Sequence, residues 1–169
     1  MLDSKSVYFL KNWNDNVVNW NEALINYNQS VLLGNLTKGK DGFYVSHDAN
    51  KIGKVKKVLR DLESCLDKIN ACGEEKIFVE QNKMKTDTAT DGVGLDGTKN
   101  VSVTKYSVEC KYKISKLREM LAGYNQEMKL KCRIVDDLYT QANREILLAY
   151  TSAILMEPYL LDDQNTSLY

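Results

Sequence analysis

One proline, Pro158, and one histidine, His47, are all that this 169-residue chain holds of two residue types that shape structure and chemistry. With so little proline, nothing breaks a helix before position 158. With so little histidine, general acid–base work would fall on His47 alone or on carboxylates that no spacing singles out, so an enzyme is not expected. An excess of one charge is also missing. The 23 basic and 23 acidic residues cancel, and no global field steers a polyanion. No stretch approaches the roughly 20 apolar residues that span a bilayer, and residues 1–10, with Asp3 and Lys5, lack the apolar run of a signal peptide. A cytoplasmic protein is expected, or a virion component if the chain is viral, with no membrane partner.

The four cysteines, Cys65, Cys72, Cys110 and Cys132, include no C-x-x-C pair and lie inside helical patterns, which reads as buried reduced thiols. His47 has no cysteine or second histidine near it to complete a zinc site. No metal, cofactor or small-molecule substrate is expected. The length suits one folding unit.

What the sequence does hold is helical periodicity. Val7, Leu10, Val17, Trp20, Leu24, Tyr27 and Val31 recur at spacings of three, four or seven and predict a first helix over about residues 4–33. Its many asparagines form helix poorly, so this helix needs packing partners. A glycine-rich loop follows, then Phe43, Tyr44 and Val45, a short strand or anchor. Ile52, Val55, Leu59, Leu62, Leu66 and Ile69 then repeat at strict three–four spacing, the seam of a helix facing an antiparallel partner, with Gly73 at the place of a C-terminal cap.

Beyond Gly73 the pattern alternates. Residues 76–80 and 101–105 read as strands, joined by a polar loop over 82–100. The expected fold is therefore mainly α: a helical bundle with long helices and one β-hairpin arm inserted between helix two and the long C-terminal helix. Residues 1–158 form a single helical domain, 74–106 project as the arm, and 159–169 are a C-terminal tail.

Within the loop, Gly92, Val93, Gly94, Leu95, Asp96 and Gly97 spell G-x-G-x-x-G. A dinucleotide site needs a strand before that run and a helix N-terminus after it, and the sequence supplies neither. The run reads as an arm tip, with Gly92, Val93 and Leu95 as contacts to a neighbouring subunit.

A drifting helical stripe from Cys110 through Ile114, Leu117, Leu121, Tyr124, Met128, Val135 and Leu138 to Ala153 predicts one long helical segment over 108–156, weakest at Gly123. If continuous, it would be roughly 70 Å long, more than a domain of this size covers by itself. Its end is apolar all round, which suits either the bundle centre or an oligomer interface built from Ile146, Leu147, Tyr150, Ile154 and Leu155, with Tyr159, Leu160 and Leu161 in the tail. The carboxylates Glu22, Glu63, Asp67, Glu109, Glu119, Glu127, Asp136, Asp137 and Glu145 read as solvated faces or as i, i+4 pairs with lysines.

Two functions from different classes are compatible with these features. The first is a structural or assembly protein, partnering copies of itself and other proteins of the same assembly. The second is a nucleic-acid or polyanion binder using Lys51, Lys54, Lys56, Lys57 and Arg60, with Lys111, Lys113, Lys116 and Arg118 alongside if the two helices pair antiparallel. In element order, helices carrying a long β-hairpin arm, the chain resembles the head-to-tail adaptor or connector proteins of short-tailed phages. That resemblance implies a ring-forming virion component whose arm and tail touch adjacent subunits. It is also similar to prefoldin-like chaperones, in which two coiled-coil helices join through β-hairpin strands, although the additional helix with Trp13 and Trp20 departs from that plan.

Overall fold

A computed structural model describes residues 3–32, 36–39, 42–45, 49–89, 99–140, 149–150, 152, 157 and 159–160. Three long helices dominate: α1 (Ser4–Leu32), α2 (Ala49–Ala89) and α3 (Lys99–Thr140). Strands β1 (Leu36–Gly39) and β2 (Gly42–Val45) form an antiparallel pair between α1 and α2, in the register Leu36 to Val45 and Gly39 to Gly42. At 1.5 Å per residue, α1 is about 43 Å long and α2 and α3 just over about 60 Å each.

Asp3 starts α1, its carboxylate accepting the Ser6 amide at 2.8 Å, as an N-cap does. From there Trp13, Val17, Trp20, Leu24 and Tyr27 bury one face. Helix α2 runs antiparallel to α1. Ser6 Oγ meets Cys72 Sγ at 3.2 Å and the Asn16 amide donates to Cys65 Sγ at 3.3 Å, while Lys5 pairs with Glu75 and Asp3 with Lys76, each at 3.5 Å. The predicted seam is real: Ile52, Val55, Leu62, Leu66 and Ile69 are buried.

The β-hairpin arm is corrected by the structure. Residues 74–89 belong to α2 and 99–106 to α3, so the described part of 74–106 is helix. The physical reason is that Ile77 extends the α2 seam by two further turns and is buried against the core, outweighing the alternation of a five-residue window. Gly73 is corrected too. It is a mid-helix residue whose missing Cβ makes room for Leu121 of α3, since a Cβ there would stand 2.7 Å from that side chain. Helices α2 and α3 are antiparallel and are keyed by a reciprocal amide pair: Asn125 donates to Asn70 Oδ1 at 2.9 Å and Asn70 to Asn125 Oδ1 at 3.3 Å. A polar pair in an apolar seam fixes register, because sliding would leave both amides unpaired.

Gly123 does not turn or end α3, which continues to Thr140. The segment expected over 108–156 is nevertheless not one helix. Tyr150 donates its hydroxyl to Asp137, whereas 13 residues of straight helix would separate the two by about 20 Å. The chain has therefore reversed by Tyr150. The return segment then descends α3: the Tyr159 amide donates to Glu127 at 2.7 Å, and Leu160 is buried beside Gly123.

Candidate interaction surface

Helix α1 begins beside Glu75 and Lys76. Beyond that level α2 and α3 continue together without it, as a two-helix arm in the place where the sequence suggested strands. The arm is held by Ile77 and by a polar contact in which Cys110 Sγ donates to Glu80 at 3.4 Å. Burial and the neighbouring Glu80 carboxylate both push the Cys110 thiol above its ordinary pKa, which disfavours its thiolate. Lys83, at 2.7 Å, holds the Glu80 carboxyl below the usual range.

Two side chains continue the seat that α1 fills lower down. Val79 lies one turn beyond Glu75 and Lys76 on the α1 side of α2. Tyr106 shares a face of α3 with Cys110 and Leu117, and Leu117 lines the cleft in which Ser6, Phe9 and Leu10 of α1 pack. With α1 absent at this level, Val79 is 45% and Tyr106 39% exposed. Phe78, Val108 and Tyr112 stand out on other sides of the arm, and Val7 and Tyr8 at its base. Seven of the nine exposed large hydrophobic side chains among the described residues thus sit on the arm or at its foot.

The residues singled out in the sequence fall differently. Leu160 is buried within its own chain, Tyr150 is half-buried against Asp137, and Tyr159 is exposed. Ile146, Leu147, Ile154, Leu155, Leu161, Gly92, Val93 and Leu95 lie outside the described residues, as do His47 and the G-x-G-x-x-G run.

Lys51, Lys54, Lys56, Lys57 and Arg60 lie in the first turns of α2, but Lys54 turns towards Ala23 and Asn26 of α1, while Lys56 stands two residues, or about 200°, round the helix from it. Lys111, Lys113, Lys116 and Arg118 are not alongside. The antiparallel register that sets Gly73 by Leu121 and Glu80 by Cys110 puts them opposite residues 76–79, roughly 33 Å along the hairpin from the first cluster. Lys113 and Lys116 also pair within their own helix, with Glu109 at 2.9 Å and Glu119 at 3.0 Å.

Sequence reasoning missed the ionic centre under the return segment. Glu127 and Lys131, one turn apart on α3, pair at 3.1 Å with side chains only 1% exposed, and Glu157 approaches Lys131 at 3.9 Å. The i, i+4 spacing was the available signal. Burial was not legible, because the segment that covers the pair lies some thirty residues further on.

Gly123 is what lets that segment dock. A Cβ there would stand 2.9 Å from the Tyr159 carbonyl oxygen. Gly123→Ala gains about 1 kcal/mol of helix propensity yet pushes the return segment off α3. Faster amide exchange at Tyr159 and Leu160 with α3 intact is the expected outcome, and unchanged protection there would contradict the docking.

Among the described residues no group of three metal-binding side chains comes together, and no helix is long and apolar enough to cross a membrane. The cleft at the α1–α2–α3 junction, about 20 Å³, holds no more than about one water. Comparison with protein-family models, curated proteins and solved structures returns no match. The β-hairpin arm that both resemblances drew on is helical here, and the short strand pair lies before α2 instead.

Proposed function

We propose that this chain is a non-enzymatic assembly protein that associates with further copies of itself through its projecting helical arm. The observation that carries the reading is the concentration of exposed apolar side chains, Phe78, Val79, Tyr106, Val108 and Tyr112, at the one level of the bundle that α1 leaves uncovered. Val79 and Tyr106 are part-exposed where α1 no longer covers α2 and α3, and a second copy supplies helices that can cover them.

Charge favours the same partner. The chain is formally neutral, so copies do not repel one another. Around the arm, Lys83, Lys113 and Lys116 each pair with a carboxylate of their own helix, Glu80, Glu109 and Glu119. A connector ring in a virion is one assembly of this type. Its β-arm form does not apply here, but a ring subunit gripping its neighbour by a helical arm remains within the proposal.

Immobilised chain should capture labelled wild-type chain from solution, and the triple variant Phe78→Ser, Val79→Ser, Tyr112→Ser should not. Since all three side chains are exposed, each substitution should change folding stability by about 0.5 kcal/mol or less. Equal capture by the folded variant would sink the arm as the self-association surface.

A further inference from the structure

The return segment rests on three charges for which α3 supplies only one cation. Glu127 and Glu157 are two carboxylates, and Lys131 is a single ammonium, nearly fully buried. Lys131 is committed to Glu127 at 3.1 Å. The other Glu127 oxygen accepts the Tyr159 amide at 2.7 Å. Glu157 is left with Lys131 at 3.9 Å, beyond hydrogen-bond reach, and its Oε1 is buried without a hydrogen-bond partner. Its backbone has φ 37°, a left-handed conformation that a residue with a Cβ rarely adopts. The Leu160 amide donates to the Glu157 carbonyl at 2.9 Å, so this turn is where the segment is fastened.

We infer that Glu157 is a proton-operated latch, whose protonation seats the return segment on α3 and whose ionisation loosens it. With both carboxylates ionised the centre carries one negative charge more than Lys131 balances, on a Glu157 side chain that is only 17% exposed. A proton on Glu157 removes it, leaving the Glu127–Lys131 pair as a neutral unit. Among the described residues, the charged groups facing Glu157 are Glu127 and Lys131, both on α3, and from α1 it meets the Trp13 indole.

The direction of titration agrees with the geometry. Burial, first, and the Glu127 carboxylate raise the Glu157 carboxyl above its ordinary 4.5, against the opposing pull of Lys131 and Trp13. When the segment lifts away, Glu157 returns to that ordinary value. A group whose pKa is higher in the seated state binds its proton more tightly there, so seating is favoured at low pH. This contribution is complete below 4.5 and is lost as pH rises through the raised value. The segment therefore loosens towards neutral pH, uncovering the Gly123 face of α3 and the seat of Leu160.

Amide exchange of Tyr159 and Leu160 in the full chain, corrected for the intrinsic pH dependence of exchange, tests the latch. In the wild type, protection should fall as pH rises from about 4.5 towards about 8. Glu157→Gln, which keeps the shape and removes the charge, should flatten the profile. Leu160→Ala should lower protection at every pH while keeping the slope. A carbon-13 titration of the wild-type Glu157 carboxyl should have a midpoint above 4.5. A flat wild-type profile, a slope that survives Glu157→Gln, or a midpoint at or below 4.5 would each overturn the latch. None of these readouts depends on self-association, so the arm proposal stands or falls separately.

Discussion

Replacing Trp13 by alanine should lower the stability of the folded chain by about 3–5 kcal/mol, as large-to-small changes at fully buried aromatics do. For a chain of this size that is a fall of about 6–20 °C in Tm. Trp13 is 0% exposed, and its ring meets that of Tyr124 at 5.2 Å and 90°, the edge-to-face geometry aromatic pairs favour. It is also the α1 side chain that faces Glu157 of the return segment. One side chain thus joins α1, α3 and the return segment. Trp13→Phe should be milder, since it keeps an aromatic face towards Tyr124. Thermal and urea unfolding of the two variants would check this. Equal losses for both would mean that the indole itself, and not buried area, holds the junction.

The second large effect is expected at the ionic centre. Glu127→Ala leaves Lys131 buried with only Glu157 at 3.9 Å and strips the Tyr159 amide of its acceptor. Breaking a buried pair from one side costs about 3–5 kcal/mol, because the remaining charge is desolvated without compensation. Glu127→Leu combined with Lys131→Met should recover most of that loss, since it removes both charges and fills a similar volume. Urea unfolding of the single and double variants measures the difference. If the double variant were as unstable as Glu127→Ala, the pair would be holding the fold through something other than its mutual neutralisation.

The seams of α1 and α2 were legible in the sequence, because Val17, Trp20, Leu24 and Tyr27 on one helix and Ile52 to Ile69 on the other repeat with the helical period, and packing follows it. The segment over 74–106 was read as a β-hairpin arm, and its described part is helix. Residues 76–80 alternate like a strand over five positions, and only a longer window shows Ile69, Gly73, Ile77, Glu80 and Met84 continuing the spacing. Gly73 and Gly123 were read as local punctuation, a cap and a weak point. Both are instead sites of close approach, to Leu121 and to the Tyr159 carbonyl. Local pattern carries no trace of partners 48 and 36 residues away. Glu127 was expected among solvated carboxylates paired at i, i+4. The pairing is there, but the solvent is excluded by Glu157, Tyr159 and Leu160.

The apolar end of the last segment suited either the bundle centre or an oligomer interface; of its described residues, Tyr150 and Leu160 pack on their own chain and Tyr159 is exposed. Most of the exposed large apolar side chains among the described residues lie on the arm or at its foot, where Phe78 and Val79 had been assigned to a strand. Apolar content told how much surface needed a partner, and only the level at which α1 begins told where.

Sedimentation equilibrium of the wild-type chain over a wide dilution series tests the self-assembly account most directly. Masses that are multiples of 19.3 kDa at high concentration, relaxing to 19.3 kDa on dilution, are the predicted result. A mass of 19.3 kDa at every concentration would contradict it.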